Sequence, residues 1–174
     1  MVFMKKIVSE GAPILREHAK EIPTKEITSP KIKKNIADMK EALLPHKDGV
    51  ALAAPQIGVS LRMFIVSGHV FDEGALAHDD KSKKKPDLVF INPEIVSAAR
   101  EKKWMPEGCL SVRPWYGEVR RATKVKIRAY DESGKKVTRG ASGLLAHIFQ
   151  HEMDHLDGIL FTDKARHVEQ ITEK

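Results

Sequence analysis

Ser142-Gly143-Leu144-Leu145-Ala146-His147-Ile148-Phe149-Gln150-His151-Glu152-Met153-Asp154-His155-Leu156-Asp157-Gly158 carries the strongest helical pattern in this 174-residue chain. It opens on a serine, contains no proline and ends in Asp-Gly, which predicts a helix over residues 142–156 with Gly158 at its C-terminal cap. At about 100° per residue, His151 and His155 stand one turn apart on one face. Leu144 and Ile148 fall on the same stripe, so that stripe is expected to point inward and to carry both imidazoles with it.

Two imidazoles one turn apart can chelate one metal ion with little rearrangement. Glu152, the next residue after His151, brings its carboxylate beside such an ion without being an obligatory ligand. The His-Glu-x-x-His arrangement therefore supplies two ligands and a general base for a water at the ion. His147 lies a further turn back and is a competing ligand. Three histidines on successive turns, however, span about 12 Å of axial rise and do not converge on one tetrahedral ion. His147 is therefore expected at a pocket wall or on the helix flank. The third ligand must come from elsewhere. Cys109 is the only cysteine, and it lies in the glycine-containing segment Glu107-Gly108-Cys109-Leu110-Ser111. A thiolate binds Zn(II) or Fe(II) strongly, and one Cys with two His leaves a coordination position open. Taken alone, Cys109 also reads as a small buried hydrophobe, and two histidines can share a helix face by accident in a chain that has 8 of them.

Outside the helix, Ser29-Pro30 offers an N-cap followed by proline at the first helical position. Ile32, Ile36, Met39 and Leu43 then recur at helical spacing, and Asp48-Gly49 marks an exit. Residues 61–66 and 88–91 read as short buried strands. Residues 71–87 between them, rich in Asp, Lys and Gly, read as an exposed loop. Residues 119–130 alternate as one strand, with Val125, Ile127 and Ala129 inward and Lys124, Lys126 and Arg128 outward. Asp131-Glu132-Ser133-Gly134 turns the chain into a hairpin. A second, shorter helix is expected over residues 164–172. The result is an α+β fold in which short, mostly antiparallel strands pack around a central metal-binding helix. With no linker or internal repeat, residues 1–174 are expected to form one catalytic domain.

At 41% hydrophobic and 31% charged residues, the composition is that of a soluble globular chain, not a disordered or fibrous one. No apolar run reaches the roughly 18 residues that a membrane helix needs. The first residues lack the apolar core of a signal peptide, so a cytoplasmic protein is expected. A formal charge of +6 is compatible with an anionic partner such as RNA. The basic residues are dispersed, however, and no sequence-specific nucleic-acid motif is present.

Three segments taken together resemble the peptide deformylase family. Gly49-Val50-Ala51-Leu52-Ala53-Ala54-Pro55-Gln56 is similar to its first motif, residues 107–111 to its second and residues 150–155 to its third, in the family's order. The resemblance implies an enzyme that removes the formyl group from the N-terminal formylmethionine of newly made polypeptides. It implies that Cys109, His151 and His155 bind one divalent ion, typically Fe(II), with Zn, Ni or Co able to replace it. Glu152 would act as general base and then proton donor. Gln56 and the backbone N–H of Leu110 would stabilise the oxyanion, and such a donor is worth roughly 2.7–4 kcal/mol. Val50, Ala51 and Gly108 would bind the peptide backbone as an added strand. His147 would touch the side-chain pocket and make the preference for methionine less strict. A thiolate-ligated Fe(II) would be sensitive to oxygen and peroxide. Transient ribosome contact follows from work on nascent chains. Ala51 replaces a glycine common in the first motif, and Arg113-Pro114 replaces a common Pro-Gly, so the cleft rim is expected to differ from the usual form.

Two other readings compete. A zinc peptidase of the general His-Glu-x-x-His type would leave the Gly49–Gln56 segment unexplained. A non-catalytic, ribosome-associated relative with a structural metal would be expected to show four protein ligands.

Overall fold

Two antiparallel sheets and two α-helices form the regular structure of the computed structural model, which describes residues 5–71 and 85–171. In chain order the elements are α1 (Pro30–Leu43), β1 (Ala51–Ala53), β2 (Met63–Val66), β3 (Leu88–Ala98), β4 (Lys102–Gly108), β5 (Trp115–Ala122), β6 (Lys124–Tyr130), β7 (Lys136–Ser142), α2 (Gly143–Leu156) and β8 (Arg166–Gln170). One sheet runs β1-β2-β3-β6-β7 and the other β4-β5-β8.

The period-2 geometry of strands sorts the five-stranded sheet into two faces. Met63, Ile65, Val89 and Ile91 pack with Ile32, Ile36, Met39 and Leu43 of α1. Phe64, Val66 and Phe90 point the other way, to Ala146, Phe149, Met153 and Leu156 of α2. Covered on both sides, β2 is apolar throughout instead of alternating. Phe149 locks α2 to the sheet. Its ring centroid lies 5.1 Å from that of Phe90, edge-on, and 6.0 Å from that of Phe64. Fully burying such a side chain contributes roughly 1.5–3 kcal/mol.

The start of α1 and the end of α2 follow the sequence signals, whereas α1 itself ends at Leu43, ahead of the Asp48-Gly49 exit. The Ser29 hydroxyl accepts from the Ile32 N–H at 3.4 Å, and Pro30 occupies the first turn of α1. α2 ends at Asp157, and Gly158 has φ 74°. A Cβ at Gly158 would lie 2.6 Å from the Arg16 carbonyl oxygen, so the residue must be glycine both for its backbone angle and for its close approach.

Four expectations are corrected. Residues 119–130 are two strands, not one: β5 and β6 meet at Thr123 and lie in different sheets. The inward parity of Val119 and Arg121 continues through Val125 and Ile127, so the corner leaves no break in the pattern. The expected helix over 164–172 is the strand β8, antiparallel to β5, with every side chain exposed. Residues 166–170 carry Val168 as their single apolar side chain, too little for a helix to seat, and backbone pairing with β5 prevails; Thr172 lies outside the described residues. β3 extends seven residues beyond Ile91, through register shifts near Asn92. The Asn92 side chain, at φ 48°, holds the backbone of Ile22 by two hydrogen bonds. Finally, Leu144 is 55% exposed, because the first turn of α2 lies at a cleft mouth and only later turns enter the protein. The loop expected over 71–87 lies largely outside the described residues. Its first residue, Phe71, ends a 3-10 turn and stacks under the Arg139 guanidinium.

Candidate metal centre and active site

The last turns of α2 bring His151 and Glu152 to the floor of a cleft between the two sheets, with His155 buried one turn behind His151. Cys109 meets them from the turn that follows β4. Within that turn the Val112 N–H donates to the Cys109 carbonyl at 3.0 Å. Gly108 precedes Cys109 directly under the Tyr116 ring, where a Cβ would lie 2.5 Å from ring carbon. Only glycine lets β4 and β5 close up at that register. Cys109 Sγ is 3.2 Å from His155 Nε2, and the ligand atoms of Cys109, His151 and His155 all fall within 4.8 Å of one another.

This donor set suits a metal ion. One sulfur and two imidazoles at such spacing can surround a tetrahedral ion and leave a position open. Glu152 lines the same cavity, is 3% exposed, and its Oε2 has no hydrogen-bond partner among the described residues. A buried, unpartnered carboxylate oxygen needs something polar to face, and an ion with its water would satisfy it. Burial pushes the Glu152 carboxyl up to about 7, a rise reinforced by the charge of Glu107 and opposed by His151 and Arg121. A carboxyl tuned to neutrality can both take and return a proton. Burial holds His155 well below the ordinary histidine value.

Gln56 enters from the 3-10 turn Ala54–Ile57. Its Oε1 accepts from the Ala53 N–H at 2.9 Å. That bond aims Nε2 at Cys109 Sγ (3.4 Å) and Ser111 Oγ (3.1 Å). The cleft beside these groups is a cavity of about 210 Å³ whose walls include Val50, Ala51, Gly108, Leu110, His147 and Ile148. All the residues expected at the site are therefore gathered around one cavity or its metal cluster. Two edge strands, β1 and β4, bring their segments to its sides. His147 is not among the clustered ligands.

Sequence reasoning missed the polar support behind the ligands. Glu107, at the end of β4, accepts from Nδ1 of His151 and Nε2 of His147. It also forms two bonds with Arg121, to Nη2 at 2.6 Å and Nε at 3.1 Å. Arg121 continues to Asp154 at 2.5 Å, and Asp154 to Lys164 at 2.7 Å. Burial alone would raise the Glu107 carboxyl. The hydrogen bonds from His147, His151 and Arg121 outweigh it and hold the group far below the usual carboxylate range. Burial likewise opposes charge on His151, but its hydrogen bonds to Cys109 and Glu107 raise it well above the ordinary value. Gln150 was also missed. Its amide accepts from the Ala122 N–H and donates to the Ala122 carbonyl, both at 2.9 Å, clamping α2 to the end of β5. Glu107 and Gln150 both stand inside the quoted motifs, which was the available signal.

The Polypeptide deformylase family model matches residues 4–170. A peptide deformylase of Carboxydothermus hydrogenoformans is 44% identical over 163 residues, 94% of each chain. Peptide deformylase 1 of Bacillus subtilis is 40% identical over 163 residues, 92% of this chain and 89% of its own. Among solved structures, a peptide deformylase from Legionella pneumophila superimposes with a TM-score of 0.78 at 38% identity, covering 95% of this chain and 88% of that one. One from Synechococcus elongatus, in complex with actinonin, gives 0.77 at 34% identity, covering 92% and 80%.

Proposed function

The chain belongs to the peptide deformylase family, and from that premise we propose that Cys109, His151 and His155 hold its catalytic ion while Glu152 moves the proton. The enzyme is a metal-dependent hydrolase that removes the N-formyl group from the N-terminal formylmethionine of newly made polypeptides and releases formate. One observation carries the residue assignment: three ligand atoms within 4.8 Å of one another share a cleft with a buried carboxylate oxygen that has no other partner among the described residues.

A bound ion would acidify water and polarise the formyl carbonyl. Glu152 takes a proton from the water as its oxygen bonds to the formyl carbon. The negative charge that builds on the carbonyl oxygen is met by Gln56 Nε2, already aimed into the cavity by its bond to Ala53, and by the Leu110 N–H. Glu152 then returns the proton to the departing nitrogen, the C–N bond breaks, and formate and a free amino terminus result. The peptide lies between the edges of β1 and β4, with Val50, Ala51 and Gly108 addressing its backbone. Fe(II) is the proposed native ion, with Zn, Ni or Co as substitutes. The chain works as one catalytic domain over residues 1–174. No helix among the described residues is long and apolar enough to cross a membrane. Cytoplasmic location and transient ribosome contact complete the proposal, and the +6 charge is compatible with the latter.

The test is formate release from a formyl-Met tripeptide by anaerobically prepared protein, with Glu152→Gln beside it. Turnover is expected from the native enzyme and is expected to disappear on chelation. Glu152→Gln should keep its metal and lose at least 100-fold in kcat. Retained turnover in Glu152→Gln with metal in place would remove Glu152 from the mechanism.

A further inference from the structure

His147 lines the substrate cavity, yet its polar atoms are committed elsewhere. Nε2 is bonded to Glu107 Oε2, and Nδ1 lies 3.3 Å from Met105 Sδ. The ring is 5% exposed. A peptide side chain entering the cavity therefore meets imidazole carbon, not a free donor, and the consequence of having a histidine here falls on Glu107.

Glu107 is the only group in hydrogen-bond contact with both His147 and His151 among the described residues. Its Oε1 receives His151 Nδ1, which fixes the ring plane and the tautomer and leaves Nε2 with its lone pair free for an ion. Its Oε2 receives His147. Arg121 holds both oxygens from one side, Nη2 on Oε1 and Nε on Oε2. His151 and His147, one helical turn apart on the same rigid element, hold the same two oxygens from the other. Without His147, Oε2 keeps only the longer bond from Arg121 Nε, at 3.1 Å, and the carboxylate is freer to tilt away from His151.

We propose that His147 is a positioning residue for the metal site, acting through Glu107 to fix the ligand geometry of His151, and that it does not select the substrate side chain. The proposal rests on the reading that Cys109, His151 and His155 hold the ion.

The experiment measures Zn(II) affinity by competition with a chromophoric chelator in the full-length protein. Partners behind metal ligands are typically worth 10–100-fold in affinity. Since Arg121 still holds Glu107, His147→Leu should weaken binding by about tenfold, the lower end of that range. His147→Gln, whose amide can donate to Oε2, should recover most of the loss. In a Glu107→Gln background, His147→Leu should have little further effect, because the route from His147 to His151 is already cut. Met105→Leu, which removes only the sulfur contact, should bind zinc as the native chain does. Native affinity in His147→Leu would overturn the proposal, and so would a full additive loss in the Glu107→Gln background. If His147→Leu fails to fold, a tenfold loss in His147→Gln equal to that of Glu107→Gln would overturn it. Cys109→Ser separates the two levels: unchanged zinc affinity there would sink the ligand assignment itself, whereas loss there with none in His147→Leu would sink only the role of His147.

Discussion

Arg121 and Arg113 each bind a carboxylate at the same cleft, yet the two pairs belong to different physical regimes. Arg121 Nη2 sits 2.6 Å from Glu107, and both side chains are 4% exposed. Arg113 Nη2 sits 2.5 Å from Asp48 on the rim, where the side chains are 35% and 61% exposed. Nearly equal distances carry unequal consequences, because distance sets the Coulomb attraction and burial sets what happens when one partner is lost. At the rim, water replaces a missing partner. Behind His151 nothing does, and an orphaned charge there bears its full desolvation penalty.

The largest break in this comparison comes from Arg121→Met. It leaves Glu107 without its cation in a space that water does not reach, and Asp154 with Lys164 alone, and the expected loss is about 3–5 kcal/mol. Chemical denaturation of the zinc-loaded protein measures it. A loss below ~1 kcal/mol would mean that the buried network relaxes as freely as the rim. Asp154→Asn is a graded version. Asp154 is 13% exposed and also touches the exposed Lys164, so part of what it loses is rehydrated. A loss of roughly 1–3 kcal/mol is expected by the same measurement. A value equal to that of Arg121→Met would erase the gradient from interior to surface.

The buried network is also the part of the molecule that the sequence hid. α1 was legible because Ile32, Ile36, Met39 and Leu43 keep one period and Ser29 caps them. Cys109, His151 and His155 were legible because their chemistry is rare and their spacing is restrictive. The deformylase motifs then placed Gln56 and Leu110, which no periodicity singles out. Arg121 was not legible. It sits at an inward position of an alternating strand, where composition rules predict an apolar residue, and only its partners 14 and 33 positions away explain it. Glu107 was quoted within a motif, but a carboxylate beside a glycine does not announce that it accepts from two histidines. β8 failed for a related reason: its pairing with β5 is a tertiary fact, and its own residues lean toward helix. The turn at Thr123 escaped because inward parity survives the passage between sheets. Local pattern reports which residues are buried, whereas a polar network depends on which of them meet.

The rim pair gives the smallest effect and the sharpest control. In a double-mutant cycle with Asp48→Ala and Arg113→Ala, the coupling should be about 0.2–1 kcal/mol, as for exposed pairs generally. It should fall as salt is raised. Its pH dependence has a definite sign. The hydrogen bond from Arg113 holds the Asp48 carboxyl below its ordinary value of 3.8, against the opposing pull of burial. A group depressed in the folded state contributes its stability in full above the unfolded value and loses it as pH falls through the folded one. The coupling should therefore be constant near neutrality, start to shrink below about pH 5 and vanish once Asp48 is protonated in both states. Urea melts of the four proteins across that range would measure it. A coupling above ~2 kcal/mol that resists both salt and acid would place the rim in the buried regime and dissolve the contrast, since only a pair shielded from water keeps its energy under those conditions.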